Sequence, residues 1–247
     1  MSSFFSNFTK KVYPHFTSEV NFKEIFESSG HLYTFVNPYS YLILRKKDNL
    51  INNVDFILID GILLVKVLKF LGIKTQRVSF DMTSLAPKLF EFCEENTKTI
   101  YFVGTKQSDL EKSIVNIKKE FANLNIIGYR NGYFNDFKEK ELFQEELISL
   151  NPDYIIVGMG TPLQEEFIIE LKSKGYKGKS FTCGGFLHQS SSNMIYYPAW
   201  VDKLELRWLY RSFNEKGVFK RVLISSSLFL VIILFDFFNH YFSKRIN

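Results

Sequence analysis

Short β-rich runs alternate with helical patterns along almost the whole of this 247-residue chain, and no other feature constrains the fold as strongly. Six runs have the length and residue content of strands, at 32–36, 56–59, 100–103, 125–128, 154–157 and 179–183. Helical patterns separate them at 62–71, 84–95, 108–122, 138–150 and 163–174. This alternation predicts an α/β, Rossmann-like fold in which helices cover both faces of a mostly parallel sheet.

Composition excludes several classes of protein. Apolar residues make up 46% of the chain, which is too many for a disordered or fibrous protein. The net charge of +5 comes from scattered Lys and Arg, and it favours phosphate or anionic lipid partners over nucleic acid. Cys93 and Cys183 stand far apart without metal-ligand spacing, so a reducing compartment fits better than a disulfide scaffold or a zinc site. Residues 1–11 lack the pattern of a secretion signal, and we expect a cytoplasmic location.

Polar and glycine residues follow the predicted strands, where ligands bind in folds of this type. Asn37 follows the first strand, Asp60 and Gly61 the second, and Gly184 and Gly185 the last. After the fifth strand, residues 158–166 read Gly-Met-Gly-Thr-Pro-Leu-Gln-Glu-Glu and lead into a helical pattern. Free backbone N–H groups at such a helix start favour an anion, so a phosphate-bearing ligand is one interpretation and an ordinary βα turn is the other.

The C-terminal residues differ from the rest. We therefore divide the chain into a Rossmann-like domain at 1–196, which carries the candidate functional residues after its strands, and a helical appendage at 197–247. Residues 200–211 predict one helix rich in aromatic and charged side chains. Residues 222–235 are apolar all round a helix and would cover roughly 21 Å, which is short of a hydrocarbon core of about 30 Å. Extension to residue 242 would include Asp236. We predict a membrane-associating segment at 222–242, inserted or interfacial rather than a full span or a soluble core helix.

Several short motifs occur together in one order and spacing. They are Phe35-Val-Asn37, Asp60-Gly61, Arg77 with Asp81, Gly132-Tyr-Phe134, Asn151-Pro-Asp153, Gly158 to Glu165, Cys183-Gly-Gly-Phe186 and Leu206 to Arg211. Through them, nearly the whole chain from about Tyr33 onward resembles the WecG/TagA/CpsF family of bacterial glycosyltransferases, which build cell-surface polysaccharides. The resemblance implies transfer of a sugar from a nucleotide donor.

The resemblance implies that Asp60 is the general base that deprotonates the acceptor hydroxyl. The alternative is that Asp60 caps the helix that starts near Ile62. Arg211 and Arg221 match arginines that are thought to reach the diphosphates of donor or acceptor, and the alternative for both is a basic membrane-surface role. The chain contains no Asp-x-Asp pair, so we expect a metal-independent reaction without a cofactor.

Further substrate contacts are expected at residues that the motifs share. The full predicted binding set is Asn37, Gly61, Arg77, Asp81, Gly160, Thr161, Gln164, Glu165, Gly184, Gly185, Arg211 and Arg221. A plain turn role competes at Asn37, and a surface ion pair competes for Arg77 with Asp81. The chain departs from the usual family pattern at Phe80, where glycine is usual, and at Arg207, where glutamate is usual.

The resemblance therefore implies an inverting, metal-independent hexosyltransferase at the cytoplasmic face of the cell membrane. It would move a sugar of N-acetylmannosamine type, glucose or a uronic acid from a UDP-sugar to a polyprenyl-diphosphate-linked saccharide. We expect the membrane and both substrates as partners, and no nucleic acid. The sequence does not decide between a monomer and a homo-oligomer. The alternative function is a non-catalytic, membrane-anchored subunit that binds sugar nucleotides within a polysaccharide assembly complex.

Overall fold

A six-stranded, all-parallel sheet forms the centre of the protein, whose computed structural model describes residues 4–13, 19–28, 30–214 and 218–246. The strands are β1 (Leu32–Val36), β2 (Phe56–Ile59), β3 (Thr99–Gly104), β4 (Asn125–Arg130), β5 (Tyr154–Gly158) and β6 (Lys179–Thr182). Their order across the sheet is β2-β1-β6-β5-β3-β4. The predicted α/β fold with a parallel sheet is confirmed.

Helices connect the strands and cover the sheet. Those of the strand-bearing part are α1 (Phe4–Lys11), α2 (Glu19–Glu27), α3 (Pro38–Arg45), α4 (Asp48–Asn53), α5 (Ile62–Phe70), α6 (Leu85–Glu95), α7 (Gln107–Glu120), α8 (Phe137–Leu150), α9 (Leu163–Ser173) and α10 (Phe186–Ser192). The five helices predicted from apolar periodicity are all present. Every residue of β1, β5 and β6 is buried, which is typical of parallel strands covered on both faces.

The chain reverses its winding direction between β3 and β5. From β3 the chain moves outward to β4, whereas from β5 it moves the other way to β6. A crevice therefore opens at the carboxyl ends of these two strands, where open α/β sheets bind ligands. Gly158 ends β5 at this point, and the glycine-containing motif 158–166 begins there.

The C-terminal part consists of α11 (Ala199–Lys203), α12 (Arg207–Asn214) and α13 (Val218–Ile246). The single helix predicted at 200–211 is wrong, because Glu205 adopts a left-handed backbone with φ of 59° and separates α11 from α12. Phe229 and Ile233 of α13 are fully buried in one apolar cluster with residues of α1, α3 and α5. The domain boundary at residue 196 stays a prediction.

Candidate active site

Asp60 lies directly after β2 with its carboxylate at the carboxyl end of the sheet. Its backbone N–H donates to the carbonyl of Val36 at 2.9 Å, so the residue is fixed against β1. The following helix α5 has Gly61 as its N-cap residue and no side-chain cap hydrogen bond. The carboxylate of Asp60 is therefore not a helix cap, and the structure removes this alternative to a chemical role.

The charges around Asp60 set its protonation behaviour. Burial raises the pKa of the Asp60 carboxyl, and the negative charge of Asp81 raises it further. The guanidinium groups of Arg77, Arg207 and Arg211 act in the opposite direction. A carboxylate with a raised pKa beside several cations is suited to accepting a proton from a substrate hydroxyl.

Gly61 allows two loops of the sheet edge to approach closely. A Cβ at Gly61 would lie 2.6 Å from the ring Cδ of Pro38, which is too close for a side chain. The sequence predicted that a substrate would approach this backbone, and the neighbour in the structure is the turn after β1. Gly61 thus holds Asp60 and the Asn37–Pro38 turn side by side.

Arg77 is anchored to the backbone beside Asp60. Its Nε donates to the backbone carbonyl of Asp60 at 3.1 Å, and one terminal nitrogen donates to the Ser79 hydroxyl at 3.1 Å. The carboxylate of Asp81 lies 3.9 Å from the same guanidinium. The side chains of Arg77 and Asp81 are only 24% and 14% exposed, so the alternative of a loose surface pair does not describe them. Both residues lie at the predicted site, and contact with a substrate stays a prediction.

Arg207 joins the C-terminal part to this site, and the sequence analysis did not assign it a role. Its guanidinium donates to both carboxylate oxygens of Asp202 and to the carboxylate of Asp81. It also donates to the hydroxyl of Ser79 at 3.2 Å and lies over the ring of Tyr197 at 4.6 Å. With a side chain only 12% exposed, Arg207 fixes the start of α12 over the loop that follows Arg77.

The two arginines predicted to reach diphosphates lie in different places. Arg211, one turn after Arg207 on α12, is close enough to lower the pKa of Asp60. Arg221, in the first turn of α13, lies over the ring of Tyr39 at 5.3 Å, next to the turn after β1. Arg211 therefore belongs to the cluster around Asp60, whereas Arg221 lies at the edge of the site.

Asn37 has a structural role that the sequence analysis kept open. Its Oδ1 accepts hydrogen bonds from the N–H groups of Tyr39 at 3.0 Å and Ser40 at 3.1 Å. The Ser40 hydroxyl accepts in return from the Asn37 N–H at 2.8 Å, which completes a capping box for α3. The side chain thus holds the turn that contacts Gly61, and a substrate contact stays a prediction.

Thr161, Gln164 and Glu165 form a second polar group at the start of α9. Oε1 of Glu165 accepts from Thr34 in β1 at 2.7 Å, from Gln164 at 3.0 Å and from Thr161 at 3.2 Å. Gln164 and Glu165 are 2% and 0% exposed, so both lie deeper than the sequence analysis expected. Gln164 Oε1 and Glu165 Oε2 are buried and accept no hydrogen bond from the described part of the chain. Burial raises the pKa of Glu165, which favours a protonated carboxyl.

Glycines leave open space at the carboxyl ends of β5 and β6, near the second polar group. Gly160, with φ of +77°, and Gly184, with φ of +53°, have no heavy atom within 4 Å of an added Cβ, and at Gly185 the nearest atom is 3.6 Å away. These glycines follow β5 and β6, whereas Asp60 follows β2. Three strand spacings, or about 14 Å, separate the carboxyl ends of β2 and β5. A ligand that contacts both groups must therefore be elongated.

Comparison with known proteins identifies the family. Residues 14–243 match the glycosyl transferase WecG/TagA/CpsF family. The chain belongs to this family. It is 39% identical over 199 residues to a UDP-Gal:alpha-D-GlcNAc-diphosphoundecaprenol beta-1,4-galactosyltransferase of Shigella boydii, covering 80% of this chain and 83% of that protein.

More distant relatives carry a different name. An N-acetylglucosaminyldiphosphoundecaprenol N-acetyl-beta-D-mannosaminyltransferase of Bacillus subtilis (strain 168) is 27% identical over 215 residues, covering 84% of this chain and 82% of that protein. The protein of the same name from Bacillus spizizenii is 25% identical, covering 84% and 80%. The predicted family and the predicted enzyme class, a glycosyltransferase, are confirmed.

Two residues of this glycosyltransferase were missed by sequence reasoning. Arg207 was noted because the family usually has glutamate at this position. That difference in charge was the one indication in the sequence that Arg207 contacts carboxylates such as Asp81 and Asp202. Tyr197 is 6% exposed, and its pKa is raised by burial. The charges of Asp60 and Arg211 also act on its hydroxyl, which places Tyr197 in the same cluster. A tyrosine before a proline in a loop gave no such indication.

Proposed function

We propose that the protein transfers a hexose, with inversion and without a metal, from a UDP-sugar to N-acetylglucosamine carried on undecaprenyl diphosphate. The observation that carries this proposal is the carboxylate of Asp60 at the carboxyl end of the sheet, where the charges of Arg77, Arg207 and Arg211 act on it. An anionic base next to a cationic cluster supplies the two groups that transfer from a nucleotide sugar requires. The names of the relatives supply the two substrate classes.

Asp60 acts as the base in this proposal. As the acceptor hydroxyl oxygen attacks the anomeric carbon of the donor, its proton passes to the carboxylate of Asp60. The bond between the anomeric carbon and the diphosphate oxygen breaks on the opposite side, and UDP leaves with the electron pair. Attack opposite the leaving group inverts the configuration of the anomeric carbon.

Arg211 stabilises the departing diphosphate in this proposal. A guanidinium keeps its charge at every physiological pH and pairs with phosphate oxygens through two parallel hydrogen bonds. Arg207 already has carboxylate partners in Asp81 and Asp202, so its charge is largely compensated. Arg211 lies one turn further along α12, where its charge acts on Asp60, and we assign it the leaving group; Arg221 at the site's edge suits the acceptor diphosphate.

An elongated donor suits the distance of about 14 Å between the carboxyl ends of β2 and β5. We propose that the nucleotide part lies along Gly160, Gly184 and Gly185, where the backbone leaves space, and that the transferred sugar points towards Asp60. UDP-galactose is the first donor to test, because the relative at 39% identity is named for it. The N-acetylmannosamine-type donor of the distant relatives is the second.

The lipid-linked acceptor places the reaction at a membrane. Residues 219–242 of α13 form an apolar helix long enough to reach across a bilayer by length and composition. We propose that α13 holds the enzyme at the cytoplasmic face, where the acceptor is confined to the same surface and its effective concentration is high.

The test is UDP release by the purified full-length enzyme, with a panel of UDP-sugars and N-acetylglucosaminyl-diphosphoundecaprenol, in the presence of EDTA. We expect acceptor-dependent release that EDTA does not abolish and that falls by at least about 100-fold in Asp60→Asn. Asp48→Asn, at the first turn of α4, is the matched control and should keep full activity.

The other outcomes distinguish the rival functions. Binding of UDP-sugar without release in the wild type would favour a non-catalytic subunit, and full activity of Asp60→Asn would remove the proposed base. Loss of release in EDTA, restored by a divalent cation, would show that the leaving group needs a metal.

A further inference from the structure

Among the residues that the structure describes, the buried side chains of helix α13 lie on one face of the helix. The residues buried on this inner face are Ser225, Phe229, Ile233 and Asp236, at the spacing of successive helical turns. Phe229 packs edge-on against Tyr41 of α3, with ring centroids 5.3 Å apart. The helix is apolar all round in sequence, but its packing is one-sided.

Asp236 pairs with side chains of the strand-bearing domain. Arg45 at the end of α3 donates from Nε to both carboxylate oxygens of Asp236, at 3.0 and 2.7 Å, and from a terminal nitrogen at 2.7 Å. The hydroxyl of Tyr41 donates to the same carboxylate at 3.0 Å. Asp236 is the only acidic or basic residue in 222–242 apart from His240. Its inward orientation leaves the opposite face without a carboxylate.

Both ends of α13 contact the same domain. Arg221 in the first turn lies over Tyr39, and Phe237 and His240 near the other end contact the ring of Phe5 in α1. From Arg221 to His240 the helix rises about 28 Å, close to the whole hydrocarbon thickness. A perpendicular span would carry α1 and α3 into the hydrocarbon core. Exposed charges at Lys10, Lys46 and Lys47 make that arrangement costly.

The outer face of α13 needs an apolar partner. We define it by six exposed residues, Leu223, Leu228, Val231, Leu234, Phe235 and Phe238. A contiguous apolar surface of this length is not stable in water. Exposed Trp208 and Phe213 of α12 and Phe219 of α13 extend it, and exposed Lys220 and Arg221 lie at its start, where anionic headgroups would pair with them.

We infer that α13 lies in the plane of the membrane, with its outer face inserted in one lipid leaflet and its inner face latched to the domain by Arg45 and Asp236. This inference deepens the proposed membrane association by giving it a topology. Because α13 starts beside Tyr39, two residues after Asn37, the carboxyl edge of β1 lies at the membrane surface. The acceptor diphosphate can then reach Asp60 without leaving the leaflet.

The topology is tested by cysteine labelling of the full-length protein in cells. Lys220→Cys and Lys244→Cys place single thiols at polar positions near the two ends of the apolar segment, and the native Cys93 and Cys183 are buried. A membrane-impermeant maleimide should label both variants in inverted membrane vesicles and neither in intact spheroplasts. Labelling of either position from the outside of spheroplasts would establish a span and overturn the inference.

The lipid-facing side is tested by a charge on the outer face. Val231→Asp should lower binding to vesicles of phosphatidylethanolamine and phosphatidylglycerol by at least about 10-fold. Val115→Asp is the matched control, because Val115 is a similarly exposed valine on α7, at 54% against 68% for Val231. Wild-type vesicle binding by Val231→Asp would overturn the inference. Conversion of an oligomer to a monomer with vesicle binding retained would assign the face to a second copy of the chain and would overturn it too.

The latch is tested by the accessibility of the inner face. A thiol at Ile233→Cys should resist modification in vesicles and become reactive when Asp236→Asn is added. The exchange of charges in Arg45→Asp with Asp236→Arg should restore protection. Equal reactivity of the thiol at position 233 in Ile233→Cys alone, with Asp236→Asn, and with the charge exchange would contradict the latch. UDP release measured on the labelled variants separates the two proposals: release together with labelling of residue 244 from the outside would overturn the topology and leave the proposed function standing.

Discussion

The guanidinium of Arg77 holds the backbone carbonyl of Asp60 at 3.1 Å and leaves the carboxylate of Asp60 without a hydrogen bond from the residues that the structure describes. The cation is thus close enough to affect the pKa of Asp60 but does not occupy the oxygen atoms that would accept a proton. An ion pair through the carboxylate would have competed with the acceptor hydroxyl. The carboxylate oxygens of Asp60 can therefore accept the proton of the acceptor hydroxyl, while the charge of Arg77 lowers the pKa of the carboxyl.

The pH dependence of transfer should report the Asp60 carboxyl. Its pKa is raised above the ordinary 3.8, so kcat/KM should fall as the pH decreases through the raised pKa and the base becomes protonated. Because the charge of Arg77 lowers that pKa, Arg77→Gln should move the acidic limb to higher pH. The measurement is kcat/KM for UDP release from pH 4 to 8.

Lys140→Gln is the control for this shift, because it also removes a cation, but from an ion pair with Glu170 between α8 and α9. Its pH profile should coincide with that of the wild type. An acidic limb that stays in place in Arg77→Gln would show that Asp60 is not the group that titrates.

Arg207 should be required for docking of α12 over the site. Arg207→Ala removes one partner of a largely buried charge cluster, a change that typically costs about 3–5 kcal/mol. We expect faster amide hydrogen exchange over residues 199–214 and a fall in kcat/KM of about 10-fold or more, since Arg211 moves with α12. Arg207→Lys keeps the positive charge but loses the planar guanidinium group. Its exchange rate and its kcat/KM should lie between those of the wild type and Arg207→Ala.

Lys203→Ala, at an exposed position of α11, is the matched control and should change neither exchange nor activity. Because Asp202 and Arg207 act as one unit, Asp202→Asn combined with Arg207→Ala should be less than additive in the exchange measurement. Unchanged exchange in Arg207→Ala would mean that other contacts hold α12.

The sequence predicted the sheet well because buried parallel strands are short apolar runs that a local pattern shows directly. The family resemblance put Asp60, Arg77 and Arg211 in one predicted site, and in the structure both arginines lie close enough to act on the pKa of Asp60. The sequence analysis missed α3, although Asn37, Pro38 and Ser40 carry the signals of a helix start. It could not show that Arg45 pairs with Asp236, because the two are 191 residues apart and no local pattern links them. The depth of Glu165 was missed because its partner Thr34 lies in the middle of a buried strand.

Gly61 should not tolerate a side chain. The Cβ of Gly61→Ala would lie 2.6 Å from a ring carbon of Pro38, and a proline ring cannot rotate away. Overpacking of this kind costs about 1–3 kcal/mol, and we expect a lower midpoint of thermal unfolding together with reduced activity, because Asp60 is the adjacent residue. Gly185→Ala is the matched control for stability. Its Cβ would meet no atom closer than 3.6 Å, so its unfolding midpoint should remain within about a degree of the wild type.

Glu165 should make the stability of the protein depend on pH. Burial raises the pKa of its carboxyl above the ordinary 4.5, so the folded state holds a proton that the unfolded state releases. The protonated carboxyl contributes its full stabilisation below pH 4.5, and this contribution is lost as the pH rises through the raised pKa. Glu165→Gln removes the titration and keeps an amide oxygen to accept from Thr34 and Thr161. Its unfolding midpoint should therefore decline less than that of the wild type between pH 5 and 8. Glu145→Gln, at an exposed position of α8, should follow the wild-type curve, and identical curves for all three proteins would show that Glu165 stays ionised in the fold.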